Sequence, residues 1–291
     1  MADYNRSDAG QGVLFVVATP IGNLEDITLR ALRVLQEVDL ILAEDTRHTT
    51  RLLQHHGIDT PMLSLHEHNE QQRIEQVRAR LEGGAKLALV SDAGTPLISD
   101  PGFVLVRALR EEGLPVVPVP GPSALVAALS VSGLPTDRFH FEGFLPARSA
   151  ARRKRLAALA ACDETLVFYE SCHRIVDSID DMAEVLGAQR PAVVCRELTK
   201  QYEQVGSGTL ASLGEWLLAD DNHRRGEFVV VVGPEGRSPN DAEQVDEAAL
   251  RTLRVLLEEL PPRQAARLAA RCHGLKPRVL YQAALDMKPA Q

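Results

Sequence analysis

Through the first 130 residues, short apolar runs alternate with longer stretches in which apolar residues recur every third or fourth position. Val13 to Ala18, Leu40 to Ala43, Leu87 to Val90 and Val116 to Val119 carry no polar residue, which predicts strands buried on both faces. Helical spacing covers Leu24 to Gln36, Thr46 to His55, Glu70 to Leu81, Gly102 to Arg110 and Ser123 to Leu129. That rhythm predicts a largely parallel sheet covered by helices, with ligands gathered at the carboxyl ends of its strands.

The second half keeps the alternation but loses its regularity. Leu166 to Tyr169, Ala192 to Cys195, Gln204 to Gly206 and Phe228 to Val232 read as strands, with helices at His173 to Leu186 and Leu210 to Leu218. Only some of these strands have a helix between them, so a mixed sheet is expected. The fold class is therefore α/β, with two α/β domains at residues 13–133 and 150–235. Residues 134–149, with Pro135 and Pro146, read as the link between them, and residues 1–12 as a disordered lead-in.

Beyond the polar stretch from Pro234 to Asp241, residues 241–291 read as a basic helical tail. Arg263, Arg267 and Arg271 recur every fourth residue and share one helix face, with Leu268 and the alanines on others. Gly274 stops that helix and Lys276-Pro277 can start another. Both a helix-turn-helix module and a plain helical cap fit this pattern.

The strand ends of the first domain carry unusual loops: Thr19-Pro20-Ile21-Gly22-Asn23, Glu44-Asp45-Thr46-Arg47-His48, Ser91-Asp92-Ala93-Gly94-Thr95-Pro96 and Pro120-Gly121-Pro122-Ser123. Glycine, proline and polar residues at one rim predict a binding cleft. The first loop has a single glycine, so neither a dinucleotide fingerprint nor a Walker loop is present. Gly121-Pro122-Ser123-Ala124-Leu125 begins like a nucleophile elbow but places Leu125 where glycine is needed. His66-Glu67-His68 lacks a suitably spaced third ligand, and His55-His56 is no better, so no metal is expected.

Composition narrows the class further. Hydrophobic and charged fractions of 45% and 25% are those of a globular chain. Cys162, Cys172, Cys195 and Cys272 form no C-x-x-C pair and suit buried thiols in a reducing compartment. The N-terminus lacks a signal-peptide pattern and no segment reaches the ~20 apolar residues of a membrane span, so a cytoplasmic protein is expected. A net charge of −8 argues against non-specific nucleic-acid coating. Two local patches run against it, Arg148, Arg152, Arg153, Lys154 and Arg155, and the tail from Pro261 onward. A loop free of phosphate-cradling glycines, with backbone open to close approach, suits S-adenosylmethionine.

The stretches "VATPIGNLEDIT", "AEDTRHT", "HEHNEQQ", "VSDAGTPLISDPG", "PVPGPSA", "GLPTDRFHFEGFLP", "FYESCHRI", "RELTKQYE" and "GEFVVVV" follow in order between Val17 and Val232. Together they resemble the tetrapyrrole-methylase-like (class III) methyltransferases, and within them the bacterial small-subunit (16S) rRNA (cytidine-2′-O)-methyltransferases. The basic tail is similar to that family's C-terminal module. The resemblance implies a homodimer with S-adenosyl-L-methionine in a cleft between the two domains of each subunit. It implies cofactor contacts from Pro20, then Asp92, Ala93, Gly94, Thr95, Pro96, Leu97, Ile98 and Ser99. Ser123, Ala124, Phe168, Tyr169, Leu198, Gly226, Glu227 and Phe228 complete that set.

Methylation of a ribose hydroxyl needs the two reactants positioned and the hydroxyl proton removed. Within the matching motifs, Lys200 and Glu197 suit a pair that orients the ribose, with Asp45 or Glu170 as alternative bases and Glu44 a further candidate. Thr19 and Asn23 are expected to hydrogen-bond to the RNA. Arg47 and Arg174 suit phosphate contacts beside the cleft. Arg152, Arg153 and the tail residues Arg263, Arg267, Arg271, Lys276 and Arg278 are expected to hold more distant rRNA of the small ribosomal subunit. A tetrapyrrole methyltransferase and a non-catalytic assembly factor are the alternatives. Low aromatic content, 4%, and the basic patches favour RNA.

Overall fold

The computed structural model describes residues 12–66, 69–234, 247–273, 275 and 277–287. The first domain runs β1 (Val13–Val17), α1 (Leu29–Glu37), β2 (Leu40–Ala43), α2 (Thr46–His55), β3 (Met62–Ser64), α3 (Glu70–Glu82), β4 (Lys86–Val90), α4 (Phe103–Glu111), β5 (Val116–Val119) and α5 (Ala124–Ser132). Its five strands are all parallel, in the order β3-β2-β4-β1-β5. Both faces are buried, which is why the strand runs are apolar throughout. Phe15, Val17, Ile41 and Val90 pack with Ala31, Leu35 and Leu52 of α1 and α2 on one side. Leu14, Leu42 and Leu89 pack with Val77, Leu81 and Leu105 of α3 and α4 on the other.

The helix expected from Leu24 begins later than its apolar spacing suggests. Asn23 Oδ1 accepts from Glu25 N and starts a single 3-10 turn over Leu24–Asp26. Thr28 Oγ1 then accepts from Ala31 N at 3.1 Å and starts α1 afresh.

The second domain runs β6 (Phe139–Phe144), α6 (Ser149–Leu159), β7 (Thr165–Ser171), α7 (Ile175–Leu186), β8 (Pro191–Arg196), β9 (Gln204–Thr209), α8 (Leu210–Ala219) and β10 (Glu227–Val232). The order is β6-β7-β10-β8-β9, with β6 parallel to β7 and the other pairs antiparallel. The segment 134–149 is thus not only a link, because β6 forms the sheet edge within it. His140, Glu142 and a bulge at Gly143, whose φ is +73°, hide that strand in the sequence.

One face of this sheet, with Phe168, Val194 and Val230, is covered by α6, α7 and α8. The other, with Val167, Cys195, Val229 and Val231, packs on Ala128 and Leu129 of α5. Helix α5 therefore joins the domains. The cleft opens at the end of this junction, where the rim loops of the first sheet meet β7 and β10.

Three further helices, α9 (Glu247–Glu259), α10 (Pro262–His273) and α11 (Pro277–Asp286), form a separate small core around Leu253, Ala265, Ala266, Ala269, Ala270 and Leu280. Among the described residues no helix is long and apolar enough to cross a membrane.

Candidate active site

The rim loops of the first domain are laced to one another. Thr19 and Gly94 exchange backbone hydrogen bonds of 2.9 and 3.1 Å, and Thr19 Oγ1 donates to the Ser91 carbonyl at 3.1 Å. Asp45 N donates to Asp92 Oδ1 at 3.0 Å, and Thr95 Oγ1 to the Pro122 carbonyl at 3.0 Å. Thr19 is therefore buried and committed, and Asn23 caps its own turn. The expectation that Thr19 presents a free hydroxyl is corrected, while Asn23 is exposed: this loop braces the Ser91–Pro96 loop, and Ile21 is its contribution to the cleft wall.

Across the cleft, the Tyr169 hydroxyl of β7 accepts from Leu125 N at 3.1 Å and satisfies a first-turn donor of α5. Gly22 permits a second approach. A Cβ there would lie 2.4 Å from Lys200 Cγ and 2.9 Å from Thr199 Oγ1. The glycine retained in the first loop thus lets it touch the other domain. Among the described residues, four other than glycine have positive φ, Leu97 (73°), Ser99 (66°), Glu197 (50°) and Thr199 (65°), in the two loops that face each other here. Strain of that kind collects at functional sites.

Between these walls lies a cavity of about 420 Å³. Ala93, Gly94, Thr95, Ile98 and Ser99 line it from the β4 loop, and Ser123 and Ala124 from the start of α5. The second domain contributes Tyr169, Glu170, Leu198, Lys200, Gly226, Glu227 and Phe228. Pro20, Asp92, Pro96 and Leu97 stand outside the lining, in the supporting loops. Phe168 is fully buried on the far side of its sheet, because neighbouring strand residues point to opposite faces. Its assignment to the cofactor set is corrected.

Ile21, Asp100, Phe144, Ser171, Cys172, His173, Cys195 and Val229 line the cavity although the sequence assigned none of them to cofactor, RNA or catalysis. The aromatic residues of "FHFEGF" were the available signal: Phe141 and Phe144 make edge contacts with Tyr169 at 4.9 and 5.8 Å. Burial pushes the Cys195 thiol up to about 11, which leaves it protonated and inert.

Lys200 Nζ donates to Glu197 Oε1 at 2.9 Å and Glu227 Oε2 at 2.8 Å. Burial alone would lower its ammonium, but the hydrogen bonds to Glu227 and Glu197 outweigh it and hold it above the ordinary lysine value. Glu197 also accepts from Glu227 N at 2.9 Å, and despite partial burial its carboxyl lies below the usual range. Asp45 caps α2 and receives Arg47 N, Nε and Nη2, which hold its carboxyl at about 2. Buried Glu170 accepts from Ser171 N and the Ser178 hydroxyl and pairs with Arg174 at 2.7 Å.

A family model described as Tetrapyrrole (Corrin/Porphyrin) Methylases matches residues 13–214, and one described as RsmI C-terminal HTH domain matches residues 243–288. The chain is 53% identical to a ribosomal RNA small subunit methyltransferase I of Escherichia coli O157:H7, over 99% of this chain and 100% of that one. It is 55% identical to the Pseudomonas aeruginosa protein of the same name, over 94% and 97%. The chain belongs to the ribosomal RNA small subunit methyltransferase I family. Solved structures share the fold of the family's methylase part. Diphthine synthase aligns with a TM-score of 0.59 at 17% identity, over 76% of this chain and 90% of that one. A uroporphyrin-III C-methyl transferase from Thermus thermophilus, complexed with S-adenyl homocysteine, aligns with a TM-score of 0.52 at 21% identity, over 77% and 97%.

In this member of the family, several arginines read as RNA contacts are held by acids of the chain. Arg152 is buried and its Nε lies 2.6 Å from Asp181 Oδ2. That correction follows from the helical spacing of the buried positions of α6, Arg152, Leu156 and Leu159, which turns Arg152 inward. Arg153 pairs with Asp181 and Glu184, Arg155 with Glu142, and Arg47 with Asp45. Arg174 donates to the Leu145 carbonyl as well as meeting Glu170. In the tail, Arg263, Arg267 and Arg271 are exposed on one face of α10, opposite its buried alanines, and Arg278 is exposed on α11. Lys276, Gly274, Glu67 and His68 lie outside the described residues. Among the described residues no cluster of three metal-ligating side chains occurs.

Proposed function

We propose that the protein transfers a methyl group from S-adenosyl-L-methionine to the ribose 2′ oxygen of a cytidine in the 16S rRNA of the small ribosomal subunit. The observation that carries this reading is the mainly apolar cavity between the domains, joined to identity above 50% with relatives named as ribosomal RNA small subunit methyltransferases. The lining fits that cofactor. Leu198, Phe228, Val229 and Ala124 offer apolar walls for an adenine, while Thr95, Ser99 and Ser123 offer polar groups for an amino-acid end. The single lysine in the lining is already bound to two carboxylates, so a polyphosphate is not catered for. Support also comes from the S-adenyl homocysteine named with the similarly folded Thermus thermophilus enzyme.

When bound, the cofactor would supply a methyl group on a positively charged sulfur. Ala93 to Thr95, Ser123, Ala124 and Gly226 to Phe228 would hold it, and the apolar walls would exclude water. Lys200, fixed between Glu197 and Glu227, is a positioned donor at the cavity edge rather than a proton acceptor. The exposed apolar residues Leu29, Phe103, Val126 and Val131 of the first domain suit cover by a second copy, in keeping with a homodimer. A ribosomal substrate would place the protein in the cytoplasm.

Tritiated S-adenosylmethionine and small subunits lacking the modification test the reading. Label should enter 16S rRNA; label accepted only by a tetrapyrrole would overturn it. The tail makes a separate prediction. Replacing Arg263, Arg267 and Arg271 together by alanine should weaken RNA binding and reduce its salt slope by about one for each arginine that meets a phosphate. Cofactor affinity, measured by calorimetry, should not change. Equal RNA affinity in the triple variant would remove this helix face from the RNA surface.

A further inference from the structure

We propose that Asp100 accepts the proton of the attacking ribose hydroxyl, a role that rests on the methyl-transfer reading above. Four of the five groups that the motifs offer are engaged elsewhere. Lys200 is an ammonium bound by two carboxylates, and Glu197 is spent on Lys200 and the Glu227 amide. Asp45 is clasped by Arg47, and Glu170 is enclosed by Ser178, its neighbouring amide and Arg174.

Asp100 differs in both place and surroundings. It follows the left-handed residues Leu97 and Ser99, so a strained turn presents it, and it lines the cavity directly. No cation pairs with it among the described residues. Glu44 at the end of β2 and Asp92 at the end of β4 bear on it with like charge, the Ser91 hydroxyl hydrogen-bonds to it, and the Tyr169 phenol of β7 feels its charge from the other domain. Burial raises its carboxyl most. The Ser91 hydrogen bond lowers it, Glu44 and Asp92 raise it again, and the balance lies at about 6. Such a group is ionised at neutral pH yet basic enough to share a proton in a transition state.

The step balances with the groups named. A lone pair of the 2′ oxygen forms the new O–CH₃ bond as the CH₃–S bond breaks, and the bonding pair stays on sulfur, which becomes a neutral thioether. The hydroxyl proton passes to the Asp100 carboxylate and from there to water. Because the carboxylate form is the active one, kcat/KM should fall on the acid side of about 6, by about tenfold for each pH unit.

The test compares the wild-type protein with Asp100→Asn and Asp100→Glu, using S-adenosylmethionine and unmodified small subunits. Asp100→Asn should keep cofactor affinity by calorimetry, lower kcat by about 10²- to 10⁴-fold and lose the acid-side pH dependence. Asp100→Glu should recover part of the rate with a dependence of the same sign. In ligand-free protein carrying ¹³C-labelled aspartate, one carboxyl should titrate at about 6 and be missing from Asp100→Asn. A titration in the ordinary range of about 4 would overturn the proposal. So would a near-normal rate in Asp100→Asn with its acid-side fall intact, or a loss of rate explained by lost cofactor affinity. A wild type that binds the cofactor but labels no RNA would remove the reaction itself, and this role with it.

Discussion

Arg152→Ala should lower the stability of the protein by about 3–5 kcal/mol while leaving its affinity for RNA unchanged. The guanidinium is almost wholly buried, and its partner Asp181 also accepts both contacts of the Ser149 hydroxyl at 3.0 Å. Removing the arginine would leave a buried carboxylate short of its closest cation. Arg153, 2.8 Å from the same carboxylate, softens the loss, so the lower end of that range is expected. At about 2–4 °C per kcal/mol, the melting temperature should drop by roughly ten degrees. Burial alone would raise the Asp181 carboxyl, but hydrogen bonds from Arg152 and Ser149 hold it below the usual range. A depressed carboxyl stabilises the fold above its unfolded pKa, and that contribution is lost as pH falls through the folded value. Without Arg152 the depression shrinks, so the gap between variant and wild type should narrow in acid. A normal melting temperature with weakened RNA binding would restore Arg152 to the RNA surface.

Gly226→Ala should reduce affinity for S-adenosylmethionine at least tenfold, a change of about 1.4 kcal/mol. The new Cβ would lie 2.4 Å from Glu197 Cδ and 2.5 Å from its Oε1, at a backbone φ of +95°. A left-handed alanine costs about 1–2 kcal/mol by itself. The larger effect comes from displacing Glu197, whose carboxylate fixes Lys200 and the Glu227 amide at the cavity wall. Calorimetry at neutral pH measures the loss directly. Unchanged affinity would show that the Gly226–Phe228 wall is not where the cofactor sits.

Most of the first sheet is legible because its strands are buried on both faces and so read as unbroken apolar runs. Strand β3 escapes, since Met62–Ser64 is only three residues long and half-buried at the sheet edge. Strand β6 escapes because a bulged edge strand interleaves His140, Glu142 and Gly143 with its aromatics. The site divides along similar lines. Local motifs mark the rim loops, and three-residue spacing marks the Glu197–Lys200 pair. The second partner of Lys200, Glu227, lies 27 residues away and comes into reach only through the pairing of β8 with β10.

Thr19 illustrates the opposite failure. A threonine in a loop at a strand end looks available, but the approach of the β1 and β4 loops consumes its hydroxyl. Asp100 is hidden for a related reason. In "LISDPG" it has the appearance of a solvated turn residue, and its burial beside Glu44 and Asp92 depends on three loops from different parts of the chain. Arg152 shows that a basic run need not be a basic surface, because helix periodicity turns one member of it inward to Asp181.

Alkali distinguishes which atom of the nucleotide carries the methyl group. Methylation of the 2′ oxygen removes the hydroxyl that attacks the adjacent phosphodiester, so the modified linkage survives alkaline hydrolysis. After reaction with tritiated S-adenosylmethionine, 16S rRNA from small subunits should release its label in an alkali-stable dinucleotide whose 5′ nucleoside is 2′-O-methylcytidine. Label recovered in a mononucleotide, or on any nucleoside other than cytidine, would contradict the assignment.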